Sequence, residues 1–210
     1  MHSAVELRSA HDLTDIPSIV RGAVKLGLLE SILVLLISLA SRLLPNGVLQ
    51  TVVMGILVVL GLAAVTLLPG LWTRARTIEG IAGAAGIGLG AAVVYLLIDV
   101  TLLQNIGTYG HRWYEIGGGS NWWYHPVWWM VGTYLAWMGA FIMANQAARQ
   151  REPSIGGLVA LVLAGVAVFG VLGVVLHVPG AAWSVPTFGI AVLPALALAA
   201  IITGLRSRRP

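Results

Sequence analysis

The chain has 210 residues, of which 58% are hydrophobic and only 10% are charged, and its mean hydropathy is +0.90. A soluble domain carries roughly 25% charged residues, so this composition is typical of a membrane protein. The absence of cysteine excludes disulfides, thiolate metal sites and a cysteine nucleophile. The net charge of +4 does not indicate a nucleic-acid interface, because the basic residues are scattered at the ends of apolar segments.

The N-terminal segment, residues 1–23, has mixed polarity. No apolar run with a small-residue cleavage site follows its start, so it does not resemble a signal peptide. Asp15 followed by Pro17 is typical of the beginning of a helix. We therefore expect either a short helix at the cytoplasmic membrane surface or a disordered tail.

Six apolar segments follow, each close to the roughly 20 residues that a helix needs to cross a bilayer. Helices are expected because every backbone polar group must be satisfied internally in lipid. The sequence predicts an all-α, polytopic integral membrane protein with one six-helix domain over residues 24–205 and a basic tail over 206–210. The predicted spans are 24–44, 48–68, 81–103, 127–147, 157–177 and 188–205.

The basic residues alternate from one connection to the next. Ten of the twelve lie near the termini or in the second-to-third and fourth-to-fifth connections, whereas the other three connections hold only Arg42 and Arg112. The positive-inside rule therefore predicts cytoplasmic N and C termini in the plasma (inner) membrane. The long connection 104–126 is then expected on the outer, periplasmic side.

Two kinds of helix are predicted. Segments three, four and six carry small residues at every fourth position, which favours close helix packing in lipid. Segments one and two are richer in Leu, Ile and Val, so we expect them at the periphery. Pro194 is expected to bend the sixth helix. The small-residue positions are Ala82, Gly86, Gly90, Gly132, Ala136, Ala140, Ala144, Ala191, Ala195, Ala199 and Thr203.

Ionisable residues inside the membrane are expensive and mark functional sites by default. Glu30 in the first span and Asp99 near the end of the third meet this description. Tyr95 lies one helical turn before Asp99, on the same face. Both acids are candidates for proton or ion coupling, although a paired structural acid is an alternative for Glu30.

The outer ends of the helices suggest a cavity that opens to the outside. The connection and its flanks, residues 104–129, hold five of the eight tryptophans and include a run of three glycines. Depth along the helices places several polar and aromatic side chains at a similar level, but it does not predict that they are neighbours. The candidate ligand-binding residues are Tyr95, Asp99, His111, Glu115, His125, Trp129, Tyr134, His177 and Trp183.

Three interpretations of this set remain open. His111, His125 and His177, with Glu115, could bind a metal or a tetrapyrrole, because neutral imidazole is a common metal ligand. Alternatively, the aromatic residues could bind a quinone, an isoprenoid or a lipid tail. The tryptophans could also form only an interfacial belt. No P-loop, dinucleotide fingerprint or catalytic triad spacing is present.

Three functions are compatible with these features. The first is a non-catalytic subunit of a larger respiratory or photosynthetic membrane complex, which shelters a quinone, lipid or pigment at its outer face. The second is a transporter or substrate-binding component for a small apolar solute, with Glu30 and Asp99 as coupling acids. The third is a membrane enzyme acting on lipid or isoprenoid, with Asp99, Glu115 or a histidine as acid or base. The expected partners are the lipid bilayer and other membrane proteins.

Overall fold

The computed structural model describes residues 13–110, 124–148 and 154–207. Throughout these residues the regular secondary structure is helical, and six helical spans are long and apolar enough to cross a membrane. The predicted all-α class is therefore confirmed for these residues, and each of the six predicted spans corresponds to a helix that is long and apolar enough to cross a membrane. The helices are α1 (Ile16–Leu43), α2 (Val48–Thr73), α3 (Ile78–Ile98), α4 (Tyr124–Ala147), α5 (Ile155–Val175), α6 (Val185–Ile190) and α7 (Val192–Ser207).

Helix α1 begins eight residues earlier than the predicted span. Asp15 is its N-cap, and its carboxylate accepts a hydrogen bond from the Ser18 amide at 3.1 Å. Pro17 follows in the first turn, where a missing N–H costs nothing. The helix start predicted at these residues is present, but residues 16–23 continue into α1 and do not form a separate helix.

The sixth span consists of α6 and α7, separated at Ala191. Pro194 has no N–H to donate to the carbonyl of Ile190, so the helical hydrogen-bond ladder cannot run unbroken through this point. The proline instead occupies the first turn of α7, where it is tolerated. The interruption lies where the bend was expected.

Helices α3 and α4 pack with their backbones close together. Gly88 faces Gly132, and a Cβ atom at Gly88 would lie 2.5 Å from the Gly132 carbonyl oxygen. Further along α4, a Cβ atom at Gly139 would overlap the carbonyl oxygen of Thr66 in α2. Small residues thus allow the close approach predicted for α3 and α4, since no side chain separates the backbones. The contact of α4 with α2 was not predicted.

Helix α1 packs against the opposite face of α3. Gly27 touches Ala91 and Val94, and a Cβ atom at Gly90 would lie 2.7 Å from the Cβ of Ala23. The most extensive helix contacts are those of α3 with α4 and with α1, so α3 is the centre of the bundle. Helix α5 lies at the edge and packs mainly on α7.

One end of the bundle, here called the aromatic end, is where α3 ends and α4 begins. The end of α1 reaches it, because Ser38 donates a hydrogen bond to the Thr108 carbonyl at 2.5 Å and Arg42 donates one to the Gly107 carbonyl. At the opposite end, the amide of Leu13 bonds the carbonyl of Thr73 at 2.9 Å. Successive spans therefore run in opposite directions.

Candidate functional site

Asp99 is the centre of a buried polar cluster at the aromatic end. Its side chain is 0% exposed, and three donors converge on its carboxylate. Tyr124 donates to Oδ2 at 2.7 Å, Gln104 Nε2 donates to the same oxygen at 2.6 Å, and Tyr109 donates to Oδ1. Hydrogen bonds of this number satisfy a carboxylate that would otherwise be costly to bury.

A π-helical turn over Asp99–Leu103 makes this geometry possible. In an α-helix, residues five apart point about 140° away from each other, so Gln104 could not reach the Asp99 side chain. Here the backbone N–H of Gln104 donates to the backbone carbonyl of Asp99 at 3.0 Å. This wider turn brings the two side chains together.

Tyr109 links Asp99 to a second tyrosine deeper in the bundle. The hydroxyls of Tyr109 and Tyr95 are 2.9 Å apart, and the Tyr95 ring lies 4.9 Å from Trp128, centroid to centroid. Burial raises the pKa of the Tyr109 hydroxyl far above its usual range, and the nearby Tyr95 and Asp99 raise this pKa further. Tyr109 is therefore held as a neutral donor.

The cluster joins three parts of the chain. Asp99 and Gln104 follow α3, Tyr124 opens α4, and Tyr109 belongs to the connection that α1 holds through Ser38 and Arg42. The tyrosine hydroxyls can both accept and donate a proton. Chemically, the arrangement can fix the aromatic end in place or relay a proton along its hydrogen bonds.

Only part of the predicted residue set belongs to this cluster. Tyr95 and Asp99 lie within it, and the half-buried His125 packs on Tyr124 with ring centroids 4.4 Å apart. Tyr134 points elsewhere, because its hydroxyl donates to the Leu193 carbonyl of α7 at 2.8 Å. The equal depth predicted for Tyr134 and Tyr95 thus does not bring their hydroxyls to the same partners.

The remaining predicted residues are more exposed or lie outside the described residues. His177 is exposed just after α5, with a positive φ of 53°, and Trp183 is 70% exposed. Trp129 is 42% exposed on α4. His111 and Glu115 fall within residues 111–123, outside the part of the chain that the structure describes.

The proposed metal or tetrapyrrole site stays a prediction. Among the described residues there is no group of three or more His, Asp or Glu side chains that could hold a metal ion. His125 and His177 are described, but His111, the third predicted ligand, is not. The described donors by themselves do not fit a metal centre.

Glu30 lies in the middle of α1, on the face that packs against α3. Gly27, three residues before it, touches α3, and Val34, four residues after it, packs against the cluster that contains Tyr95. Glu30 is half-buried, and none of the hydrogen bonds of the described residues ends on its carboxyl group. The contacts of Gly27 and Val34, on either side of Glu30, place it at the level of Tyr95 along α3.

A separate feature is an apolar groove on the side of the bundle. It has a volume of about 420 Å³, within the usual range for ligand sites, and it lies between α2 and α5 with α6 and α7 as its floor. From Thr51 to Leu67 it follows α2 over 16 residues, or about 24 Å. Its apolar lining includes Val58, Val59, Leu62, Leu67, Leu158, Val162, Leu163, Val166, Val192 and Leu196.

Most of the polar groups of the groove lie at the aromatic end. Thr51, Trp183 and Ser184 line that end, and Thr66 is the remaining polar lining residue. The Trp183 ring stacks on Phe188, with centroids 6.1 Å apart and planes 29° apart. Trp183 therefore marks the mouth of the groove and is not part of the Asp99 cluster with which the sequence grouped it.

Sequence reasoning missed Gln104, Tyr109 and Tyr124. Two signals were available, because a buried acid needs donors and both tyrosines lie close to the ends of spans. The Gln104 contact could not be anticipated, since it depends on a π-helical turn.

No family model matches the chain, and neither the curated proteins nor the solved structures contain a match.

Proposed function

We propose that the protein is a non-catalytic integral membrane protein that shelters one long hydrocarbon chain, carried by a lipid or an isoprenoid quinone, in the groove between α2 and α5. The observation that supports this is the shape of the groove, which is about 24 Å long and apolar along most of its length. A chain lying parallel to the helices would place its polar head group at the mouth near Trp183 and Ser184.

Van der Waals contact supplies the selectivity for the groove over bulk lipid. The hydrophobic effect does not distinguish the two environments, because both are hydrocarbon. A chain held between α2, α5 and α7 touches protein on several sides, and each contact adds a small dispersion energy. An empty groove would forfeit those contacts, so occupancy by a single chain is favourable.

The absence of acid–base groups from the lining favours a binding role over catalysis. The described residues that line the groove are aliphatic and aromatic side chains, glycine, threonine and serine, and none of these described residues carries a titratable carboxyl or imidazole. Glu30 belongs to α1 and Asp99 to the π-helical turn after α3, and neither segment lines the groove. No described feature favours the enzymatic alternative.

A pair of substitutions on α2 tests the proposal. Val59 lines the groove and is 52% exposed, whereas Ile56 is 54% exposed but does not line it. The purified protein is titrated with ubiquinone-10 and, separately, with phosphatidylglycerol, and bound chains are counted by native mass spectrometry. Val59→Trp is expected to reduce binding at least tenfold, and Ile56→Trp to leave it unchanged. Equal effects of the two substitutions would contradict the proposal, and the preferred probe identifies the source of the chain.

Membership of a larger complex is a second part of the proposal. The outward faces of α1 and α2 carry many exposed large apolar side chains, which suit either lipid or another membrane protein. Purification in a mild detergent is expected to retain a partner protein. Elution of the protein without a partner would contradict membership of a complex, but it would not affect the proposal that the groove holds a hydrocarbon chain.

Orientation is argued from the distribution of charge. We place both termini in the cytoplasm and the aromatic end outside, because ten of the twelve basic residues lie on the other side. The chain lacks cysteine, so single cysteines at Ser120 and Gln150 can be labelled selectively. A reagent that cannot cross the membrane should reach Ser120→Cys and not Gln150→Cys in intact cells. The reverse pattern would invert the orientation.

A further inference from the structure

We propose that Glu30 is a proton-binding site inside the membrane. Its proton exchanges with the aromatic end through Tyr95 and Tyr109 to Asp99. This inference is independent of the groove, because none of these residues lines it.

Glu30 lies deep in the bundle without a described partner for its charge. Ser38 in the same helix touches the connection at the aromatic end, so Glu30, eight residues before it, lies about 12 Å deeper. A bare carboxylate without a partner is expensive at such a depth, whereas a carboxylic acid is tolerated more easily. No described hydrogen bond or ion pair stabilises the charge. Glu30 is therefore expected to hold a proton.

The neighbours of Glu30 define where that proton can go. Helix α2 contributes no charged residue. On α3, Tyr95 lies at the level of Glu30, because Gly27 of α1 faces Ala91 and Val94, and Val34 of α1 packs on the cluster that contains Tyr95. Lys25, in the same helix, is exposed. Tyr95 is therefore the first acceptor on the path, reached by a change of side-chain rotamer or through one bridging water.

The hydrogen bonds beyond Tyr95 have a defined direction. The single Tyr109 proton is donated to Asp99, so in the 2.9 Å contact between the tyrosines Tyr95 must be the donor. As a hydroxyl, Tyr95 can in addition accept a hydrogen bond. This order of donors runs from the membrane interior toward Asp99.

Proton transfer along this path changes the protonation state of only the two end groups, Glu30 and Asp99. The Glu30 acid gives its proton to Tyr95, Tyr95 gives its own to Tyr109, and Tyr109 gives its own to Asp99. Both tyrosines finish neutral, Glu30 finishes as a carboxylate and Asp99 as an acid. Because burial raises the pKa of Tyr109, a tyrosinate intermediate is disfavoured and the shifts occur together.

The polar and charged groups around Asp99 leave it able to accept the proton from Tyr109. Tyr124 and Gln104 donate to Oδ2, leaving Oδ1 for the bond with Tyr109. Arg42 is bound to the Gly107 carbonyl, and His125 packs on the Tyr124 ring. Exposed residues 105–107 follow within two turns, so Asp99 lies near the surface of the aromatic end.

Infrared spectroscopy of the full-length protein in lipid vesicles tests the proposal. The carbonyl band of a protonated carboxylic acid is expected at neutral pH and should be absent from Glu30→Gln. On transfer to heavy water its deuterium shift should develop at least tenfold more slowly in Tyr95→Phe, and similarly in Tyr109→Phe.

Tyr134→Phe is the matched control, because it removes a partly buried tyrosine hydroxyl that bonds α7 and is not on the path. Its deuterium exchange should equal that of the unsubstituted protein. A spectrum in which Glu30→Gln removes no acid band overturns the binding site. Unchanged exchange in Tyr95→Phe and Tyr109→Phe, with each variant folded by circular dichroism, overturns the path.

Discussion

The two sides of the bundle are assembled on different principles. Between α3 and α4, and between α4 and α2, glycines and alanines bring backbones into contact, and the Asp99 cluster closes the aromatic end. Between α2 and α5, branched apolar side chains stand apart and leave a groove of about 420 Å³. Small residues therefore fix the helices on one side of this protein, whereas large apolar residues leave an open groove on the other.

The largest expected difference in stability is between two glycine-to-alanine substitutions, one on the closely packed side and one in the groove. Gly139→Ala pushes a Cβ atom into the carbonyl oxygen of Thr66, and backbone cannot give way cheaply. We expect it to lower the free energy of unfolding by about 3 kcal/mol. Gly55, which lines the groove, has nothing within 4 Å of its Cβ position. Gly55→Ala should change stability by less than about 1 kcal/mol, because it only improves helix propensity.

Unfolding of both variants in mixed detergent micelles, followed by circular dichroism, measures this difference. Similar losses of unfolding free energy in the two variants would mean that both sides are packed alike, which would contradict the difference between them.

The polar cluster gives the next largest effect. Asp99→Asn replaces a carboxylate oxygen with an NH₂ group, so at least one of the three donors loses its acceptor. The expected destabilisation is about 2 kcal/mol. Tyr134→Phe, which removes one neutral bond to Leu193, should cost about 1 kcal/mol in the same unfolding assay. If Asp99→Asn were as stable as the unsubstituted protein, the cluster would not hold the aromatic end together.

Alkaline pH should weaken the same end. The folded-state pKa of Tyr109 is raised, so its contribution to stability is complete below the unfolded value of about 10 and is lost as the pH rises above it. Thermal unfolding between pH 8 and 11 should show a fall in midpoint that begins near pH 10. Other tyrosines contribute as well, so the diagnostic result is a shallower fall in Tyr109→Phe. An identical pH profile would contradict the burial of this hydroxyl.

The smallest effect is expected at the start of α1. Hydrogen bonding from Ser18 lowers the pKa of Asp15, so the cap stabilises the helix above the unfolded pKa of about 4 and is lost as the pH falls through the lower folded value. Asp15→Ala should speed amide hydrogen exchange at Ser18 and Ile19 without moving the global unfolding midpoint. Unaltered exchange at these amides would show that the cap contributes nothing.

The sequence predicted the fold well because its signals are local. Length and hydropathy identify six spans, and small residues at every fourth position identify α3 and α4 as helices that pack closely. The expectation that α1 lies at the periphery was wrong, because Gly27 and Ala23 let it pack closely on α3. The start of α1 was placed too late, since polar residues such as Ser18 and Arg21 interrupt the apolar run although the helix continues through them.

The candidate sites were predicted less completely because they depend on lateral neighbours. Asp99 and Tyr95 share a helix, so their spacing revealed them, whereas Tyr109 and Tyr124 reach Asp99 only after the chain returns. Depth grouped Trp183 and Tyr134 with this cluster, but helix order places Trp183 at the mouth of the groove and Tyr134 against α7. The groove itself has no motif, because it is a space between large side chains of distant segments.

Photochemical crosslinking tests directly whether the groove between α2 and α5 holds a hydrocarbon chain. The protein is reconstituted into vesicles that contain a trace of lipid with a diazirine group in its acyl chain, and crosslinked residues are mapped by mass spectrometry. Occupancy of the groove predicts crosslinks concentrated on groove residues such as Val59, Leu62 and Val162, and their loss in Val59→Trp. Crosslinks spread evenly over the exposed apolar side chains of α1, α2 and α5, with no change in Val59→Trp, would contradict it.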